Sequence, residues 1–165
     1  VMDAANVCRL GDDWLYLESR SGSRAAGEWL AERFPQVDVH GCNFYSGVHI
    51  DSTLVPLREG LIMINAERVR EDQLPRCLAK WEKIWVQDMI PGSFYQYPWA
   101  SKWIGMNCLS IDSETVIMDL EQHDLFLVVA VDHCINLIFA HTIGMGSIKV
   151  DRVCHQFSFA IDLYH

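Results

Sequence analysis

The spacing of apolar and polar residues predicts short strands and a helix that alternate along the first part of the chain. The pattern from Asp13 to Glu18 predicts a strand, and the Ser21-Gly22-Ser23 cluster that follows offers a serine N-cap. Apolar residues at helical spacing predict a helix from Arg24 to about Phe34, which Pro35 ends. Val37 to Cys42 is predicted to be a second strand.

Two hairpins are predicted further along the chain. Leu54–Leu57 and Leu61–Ile64 flank a turn in which Gly60 can adopt a positive φ. Pro56 has no N–H for the ladder, so it must lie at an edge or a bulge. Met106–Ile111 and Thr115–Asp119 flank a polar turn, which predicts the second hairpin.

The segment between these hairpins is predicted to contain a helix and a strand. The helix is expected from Glu71 to about Trp81, with Pro75 in its first turn or at a kink. The strand is expected at Ile84–Val86, and Trp103 and Met106 are expected to pack into the core. No low-complexity linker interrupts the region, so the sequence predicts no domain boundary there.

The last part of the chain is almost wholly apolar in two stretches. Leu125–Val131 and Ile135–Ala140 predict two buried strands joined by a turn at Asp132-His133-Cys134. A membrane span needs about 20 mostly apolar residues, and the polar interruption argues against one. A frame-shifted or rearranged reading of the gene would give a similar tail with no functional design, and such a tail would be prone to aggregate.

Composition and charge limit the class of protein. The 165 residues are 50% hydrophobic and 21% charged, which is typical of one globular domain. A net charge of −9 without any cluster of lysines and arginines disfavours nucleic acid and anionic membranes as partners. A small cationic substrate is compatible with this charge.

The chain contains six cysteines and seven histidines. It has no CxxC pair and no secretory leader, so we expect reduced thiols and a cytoplasmic protein. His133-Cys134 and Cys154-His155 are adjacent pairs, which is not the spacing that closes a tetrahedral zinc site. We therefore expect neither a metal nor a cofactor.

The most informative polar motif is the run Val48-His49-Ile50-Asp51-Ser52-Thr53, just ahead of a predicted strand. Side chains two residues apart in an extended segment share one face, so His49 and Asp51 are expected to reach the same cavity. An imidazole can move a proton near neutral pH, and a carboxylate can hold a cation. A histidine at a strand edge beside a solvated aspartate would give the same motif.

Four blocks taken together are more specific than that motif alone: Asp3–Asn6, His49–Thr53, Asn65–Arg68 and Ser101–Asn107. Their order and spacing resemble those of the amidinotransferase family, over roughly residues 3 to 119. The chain looks most similar to arginine:glycine amidinotransferase, in the bacterial branch that makes guanidinoacetate for alkaloid toxins such as saxitoxin and cylindrospermopsin. The resemblance implies an α/β fold that forms part of a five-bladed α/β propeller of the pentein type, built from ββαβ modules.

The resemblance also divides the chain into two parts. Residues 1–119 correspond to the family's modules, and residues 120–165 form a divergent apolar tail that continues the same domain. Because the chain opens with Val1 and the family is more than twice as long, we expect a partial chain of two or three modules.

The implied reaction transfers the amidino group of arginine to glycine, giving guanidinoacetate and ornithine through a covalent thiol intermediate. By position, His49 matches the family's proton shuttle. Asp3 and Asp51 match the acids that hold the guanidinium, which is planar, always charged and best bound by carboxylates.

Three further positions are implied to bind substrate. Arg68 matches an arginine that positions a substrate carboxylate, although a solvated cation at a hairpin end is the alternative. Ser101 matches one of two adjacent serines of the family, and the other is Ala100 here, so substrate preference is expected to differ. Val48, at the start of the histidine motif, is included among the substrate-binding residues.

The family's nucleophilic cysteine lies in a glycine-rich run near the C-terminus, and this chain has no such run. Cys154 lies close to the expected distance from His49, while another alignment places Ser158 there. Cys154 is therefore the candidate nucleophile, and a buried or surface thiol without a catalytic role is the alternative.

Three functions remain open from the sequence. The first is the amidinotransferase with arginine and glycine as small-molecule substrates, and a homodimer is compatible with it. The second is an arginine deiminase-like hydrolase, in which water takes the place of the acceptor amine, although the match at Ser101–Asn107 favours transfer. The third is an inactive binding or assembly fragment that holds a guanidinium ligand or nothing.

Overall fold

A computed structural model describes residues 1–47, 49–88, 102–119, 136–142 and 148–154. Within these ranges the chain forms ten strands, one α-helix and several short 3₁₀ turns. The strands and the helix are β1 Val7–Leu10, β2 Asp13–Leu17, α1 Arg24–Arg33, β3 Asp38–Cys42, β4 Leu54–Arg58, β5 Leu61–Asn65, β6 Glu82–Val86, β7 Leu109–Ser110, β8 Thr115–Asp119, β9 Asn136–Thr142 and β10 Ile148–Cys154.

The strands form three sheets that repeat one arrangement. In the first module β2 pairs antiparallel with β1 and parallel with β3, and α1 connects β2 to β3. In the second module β5 pairs antiparallel with β4 and parallel with β6. In the third module β8 pairs antiparallel with β7 and parallel with β9, and β10 adds an outer antiparallel strand. The ββαβ order of the first module confirms the predicted α/β fold.

Local sequence explains the two tight hairpins. Gly11 between β1 and β2 has a φ of 74°, and Gly60 between β4 and β5 has a φ of 79°. Glycine reaches this region without a steric penalty, so the predicted role of Gly60 is confirmed. The β4–β5 register shifts between Pro56 and Arg58, and β4 lies at the edge of its sheet, as the missing N–H of Pro56 requires.

Strand β5 is buried along its whole length because a hydrophobic core lies on each of its faces. Ile62 and Ile64 join a core that also contains Leu15 and Leu17 of the first module. The alternate side chains of β5 point the other way, as the two-residue period of a strand dictates. That second core contains Leu61, Met63, Val116 and Met118 together with Trp103 and Met106, whose predicted burial is confirmed.

The helix predicted from Glu71 to about Trp81 is wrong. Two 3₁₀ turns, Glu71–Gln73 and Arg76–Leu78, stand in its place. Pro75 lies between them, and the residue before a proline is pushed out of the α region. Leu74 accordingly has a ψ of 137° and Pro75 a ψ of 150°, so the backbone is extended where a helix would have continued.

The remaining predictions vary in outcome. The first strand of the second hairpin, predicted at Met106–Ile111, is only Leu109–Ser110, and Met106 belongs to the 3₁₀ turn Lys102–Met106. The strand predicted at Ile135–Ala140 is confirmed as β9, whereas Leu125–Val131 lies outside the described residues. Strands β1 and β10 are not predicted by the sequence pattern. In the described part of the chain no helix is long and apolar enough to cross a membrane.

Candidate functional site

The predicted proton shuttle, His49, lies against the carboxylate of Asp3. Nε2 of His49 is 3.0 Å from Oδ2 of Asp3, although 46 positions separate the two residues in the chain. The side chains are 40% and 43% exposed, so the pair is both fixed and open to a solute. A histidine held by a carboxylate keeps one ring orientation, and this arrangement suits proton transfer.

The start of the chain folds so that Asp3 faces His49. Asp3 caps the 3₁₀ turn Ala4–Asn6, and its Oδ1 accepts a hydrogen bond of 3.0 Å from the backbone N–H of Ala5. The N–H of Ile50, next to His49, donates to the carbonyl of Ala5 at 3.0 Å. One backbone contact therefore brings the two halves of the pair together.

Buried Asn6 anchors this turn to the first module. Its Nδ2 donates to the carbonyl of Leu17, at the end of β2, and to Oγ of Ser19. Its Oδ1 accepts from Oγ of Ser21 at 3.2 Å. A fully buried amide with several partners holds the backbone rigidly, so the position of Asp3 is set by the sheet.

The surroundings of Asp3 favour its charged form. The hydrogen bond from the Ala5 N–H, followed by that from His49, lowers the pKa of the Asp3 carboxyl below its ordinary value. Asp3 is therefore a carboxylate at neutral pH, and its Oδ2 contacts the His49 ring.

The extended segment predicted at His49 to Asp51 is wrong. Ile50 begins a turn, in which its carbonyl accepts hydrogen bonds from Thr53 at 2.9 Å and from Leu54 at 3.1 Å. Residues 51–53 are turn residues and Asp51 is exposed. The two-residue strand period does not apply to a turn, so Asp3 and not Asp51 is the carboxylate that contacts His49 in the structure.

A polar network supports the turn, and its contacts are not predicted by the sequence, although Thr53 and Asn65 lie in two of the four blocks. The Tyr45 hydroxyl donates to the carbonyl of His49 and lies 2.7 Å from Oγ1 of buried Thr53. Buried Asn65, at the end of β5, donates from Nδ2 to the carbonyl of Ser52 at 3.3 Å. Tyr45 lies four positions before His49 and Asn65 sixteen positions after it, a spacing that gives no periodic signal, so only the tertiary structure reveals their contacts.

Arg68 lies beside the same turn. Its Nη1 donates to Oγ of Ser52 and to Oγ1 of Thr53, each at 3.0 Å, and its guanidinium lies over the ring of Tyr45 at 5.2 Å. Arg68 is half-buried and held by several groups, so the alternative of a solvated cation is wrong. Its predicted contact with a substrate carboxylate stays a prediction.

The block that begins at Ser101 lies next to the Asn65–Arg68 block. Nζ of Lys102 is 3.0 Å from Oε2 of Glu67 and 2.9 Å from Oδ1 of Asp88. The indole N–H of buried Trp103 donates to the same Glu67 oxygen at 3.0 Å. Two motifs of the sequence are therefore joined in space. Ser101 and Val48 lie outside the described residues.

The cysteine side chains that the structure describes are poor thiolates. Burial raises the pKa of Cys8, Cys42 and Cys108 to about 12, and burial also raises the pKa of Cys77. The thiolate is the reactive form, so these four thiols do not have the properties of an activated nucleophile. Cys154 is the last residue of β10, where its backbone pairs with Leu137, and its nucleophilic role stays a prediction.

The curated proteins whose sequences are similar to this chain include several amidinotransferases. The chain is 39% identical over 131 residues to inosamine-phosphate amidinotransferase 1 of Streptomyces glaucescens, covering 78% of this chain and 38% of that protein. It is 31% identical over 126 residues to L-arginine:L-lysine amidinotransferase of Pseudomonas savastanoi pv. phaseolicola, covering 74% and 34%. It is 25% identical over 151 residues to mitochondrial glycine amidinotransferase of Xenopus laevis, covering 87% and 36%. No family model matches the chain.

The solved structures that are similar to this chain also include amidinotransferases. Inosamine-phosphate amidinotransferase StrB1 from Streptomyces griseus superimposes with a TM-score of 0.75 at 36% identity, over 84% of this chain and 40% of that one. SxtG, an amidinotransferase of saxitoxin biosynthesis from Microseira wollei, gives 0.76 at 28% identity, over 83% and 39%. The chain spans about two-fifths of the length of these relatives. The resemblance to the amidinotransferase family predicted from the four blocks is thus confirmed.

Proposed function

We propose that this chain supplies part of the active site of an amidinotransferase that moves the amidino group of arginine to an amine. The proposal rests on the Asp3–His49 pair, a proton-transfer unit fixed at 3.0 Å and open to solutes. The likeness to arginine-dependent and inosamine-phosphate amidinotransferases supports it.

The proposed reaction has two half-reactions linked by one proton carrier. A cysteine thiolate attacks the guanidinium carbon, a C–S bond forms, and the C–N bond to ornithine breaks as its amine takes a proton from His49. The acceptor amine then attacks the same carbon and returns a proton to His49, and the thiolate leaves. Asp3 holds the imidazole in place during both half-reactions, since its carboxylate contacts Nε2.

Asp51 is proposed to hold the donor guanidinium. It lies exposed on the turn that follows His49, and no described cation neutralises it within salt-bridge distance. A carboxylate beside the proton carrier would place a guanidinium for attack, because it accepts two parallel N–H bonds. Arg68, Tyr45 and Thr53 hold that turn in position.

The acceptor is proposed to be an amine other than glycine. Identity is 39% to an inosamine-phosphate amidinotransferase and 25% to a glycine amidinotransferase. Ala100 also replaces one of the two serines that the family resemblance places near the substrate. An aminocyclitol phosphate is therefore the first acceptor to test, and glycine, which would give guanidinoacetate, is the second.

A chimera tests the proposal. This chain replaces the matched 131 residues of the Streptomyces glaucescens relative, and transfer from arginine is measured with inosamine phosphate, glycine or lysine as acceptor. We expect Asp51→Ala to lower transfer by at least about 10²-fold, because the donor guanidinium loses a charge-assisted partner. Asp12→Ala, at another exposed aspartate in the β1–β2 turn, is the matched control and should change transfer little.

Binding to the chain alone keeps the test informative if the chimera does not fold. Calorimetric titration with arginine should give a binding signal that Asp51→Ala weakens, and intact mass spectrometry should detect an adduct of about 42 Da wherever a thiol accepts the amidino group. Citrulline formed in place of the transfer product would identify the hydrolase. Absence of arginine binding by folded chain, together with an inactive but folded chimera, would reject the proposal.

A further inference from the structure

Three ligating side chains meet in a second cluster, at the opposite end of β2 from Asn6 and Asp3. Asp13, His40 and Cys77 each present one ligand atom, and these atoms all lie within 4.8 Å of one another. Oδ1 of Asp13 and Nε2 of His40 are 2.5 Å apart, and all three residues are partly buried. We propose that this cluster is a site for a divalent transition metal, with Zn²⁺ as the best fit.

The sheet register places the first two ligands side by side. Asp13 begins β2 and pairs with Asp38 of β3, whereas His40 pairs with Leu15. His40 is two residues beyond Asp38, so the strand period puts both on one face of β3, next to Asp13. Residues that are 27 positions apart in the chain are thereby brought to hydrogen-bond distance.

The third ligand comes from the second module. Cys77 lies in the 3₁₀ turn Arg76–Leu78, on the connection between β5 and β6, and packs against the core that the first two modules share. A metal bound to all three side chains would therefore join the first module to the second. This position explains why sequence spacing gave no indication of a metal: the ligands come from three separate elements.

The donor set selects the kind of metal. One carboxylate oxygen, one imidazole nitrogen and one thiolate sulfur match the ligands of zinc and cobalt, whereas calcium and magnesium prefer oxygen alone. Three protein ligands leave a fourth tetrahedral position for water or for a group from a solute. Arg76 shares the adjoining cleft with His40, and its charge opposes the metal's, while the Asp13 carboxylate offsets it. Burial raises the pKa of the Cys77 thiol, so Cys77 must release its proton when it binds the metal.

Metal binding requires only a small rearrangement of the Asp13–His40 pair. Two ligands bonded at about 2.0–2.2 Å to tetrahedral zinc lie roughly 3.3 Å apart, so the Asp13–His40 hydrogen bond must open by less than about 1 Å. The two side chains are 38% and 35% exposed, which leaves them room to rotate. A cleft of about 580 Å³, lined in part by His40, Cys42 and Pro75, lies on the His40 side of the cluster.

Cobalt binding tests the proposal on the purified chain, prepared without a histidine tag. Titration with Co²⁺ should give the near-ultraviolet thiolate charge-transfer band and the visible bands of a tetrahedral ion, and Zn²⁺ should displace it. His40→Gln and Cys77→Ala should each weaken Co²⁺ binding by at least about tenfold, and Cys77→Ala should also abolish the charge-transfer band. Cys108→Ala, which removes a thiol of the third module, is the matched control and should leave both signals unchanged.

Thermal unfolding gives an independent readout. Zn²⁺ should raise the Tm of the chain, because a ligand that binds only the folded state stabilises it, and both variants should lose this rise. The proposal is overturned if folded chain binds no Co²⁺, or if His40→Gln and Cys77→Ala bind it as tightly as the unchanged chain. Neither result depends on amidino transfer, so the metal site and the proposed function fail separately.

Discussion

The part of the chain that the structure describes contains two aspartate–histidine contacts that are alike in distance and exposure and differ in their surroundings. Asp3 and His49 are 3.0 Å apart, Asp13 and His40 are 2.5 Å apart, and all four side chains are between 35% and 43% exposed. Each contact joins residues that are distant in the chain. The Asp–His distance and the exposure of the side chains therefore do not distinguish a pair that transfers protons from one that does not.

The neighbours of each pair make the distinction. His49 precedes a turn held by Tyr45 and Thr53 and bearing an exposed carboxylate, which suits the binding of a cationic substrate. His40 is within reach of Cys77, and this combination suits a soft metal ion. The same two side chains thus serve different chemistry according to the third group beside them.

The largest effect is expected when the two histidines are exchanged for alanine in the chimera. His49→Ala should lower amidino transfer by about 10²–10⁴-fold, because both half-reactions lose their proton carrier. His40→Ala should leave transfer within a few-fold of the unchanged protein. Initial rates with arginine and the best acceptor measure the difference.

Two further observations decide how this result is interpreted. Circular dichroism of both variants must show an unchanged fold, since an unfolded variant would also lose transfer. Equal losses in two folded variants would break the distinction between the pairs, and the role assigned to His49 would have to be withdrawn.

A smaller effect is expected from the tyrosine that supports the His49 turn. Tyr45→Phe removes the hydroxyl that lies between the His49 carbonyl and Thr53, and it should lower the free energy of unfolding by about 1 kcal/mol. Tyr16→Phe is the matched control, because the buried Tyr16 hydroxyl has no hydrogen-bond partner within the described ranges. Its removal should be neutral or stabilising.

Urea unfolding of the three proteins under identical conditions gives both values. A Tyr45→Phe protein as stable as the unchanged chain would show that the network does not hold the turn. A large loss in Tyr16→Phe would show that this hydroxyl has a partner in the folded protein.

Local features were predictable from sequence, and long-range partners were not. The turn at Gly60 and the bulge at Pro56 follow from single residues and were predicted. Pro75 is also a local signal, because a proline disfavours the helical conformation of the residue before it. The apolar spacing around it favours a helix, but in the structure the proline interrupts the segment. The sequence predicts His49 as a site residue, but the strand period pairs it with Asp51, whereas the structure pairs it with Asp3.

The partner of His49 depends on tertiary structure. The Ala5–Ile50 backbone hydrogen bond brings Asp3 to His49, and the spacing of residues in the sequence does not predict it. The family resemblance named both residues without pairing them. The contacts of Tyr45, Asn65 and Cys77 are not predicted for the same reason, since each residue acts through a contact between separate elements.

The smallest expected effect concerns the acidity of Asp3. Its pKa is lowered first by the Ala5 N–H and then by His49, so His49→Ala should raise the pKa of Asp3 only part of the way towards its ordinary value of 3.8. A lowered pKa in the folded state contributes stability that is present above the unfolded pKa and lost as pH falls through the folded value. The variant should therefore have a smaller contribution of this kind, and its loss should be complete at a higher pH than in the unchanged chain, within the range below about pH 4. Titration of the Asp3 carboxyl carbon by NMR measures the shift, with His40→Gln as a control that leaves it unchanged. An Asp3 pKa in His49→Ala that reaches or exceeds 3.8 would mean that the histidine, and not the turn of residues 4–6, holds this carboxylate in its charged form.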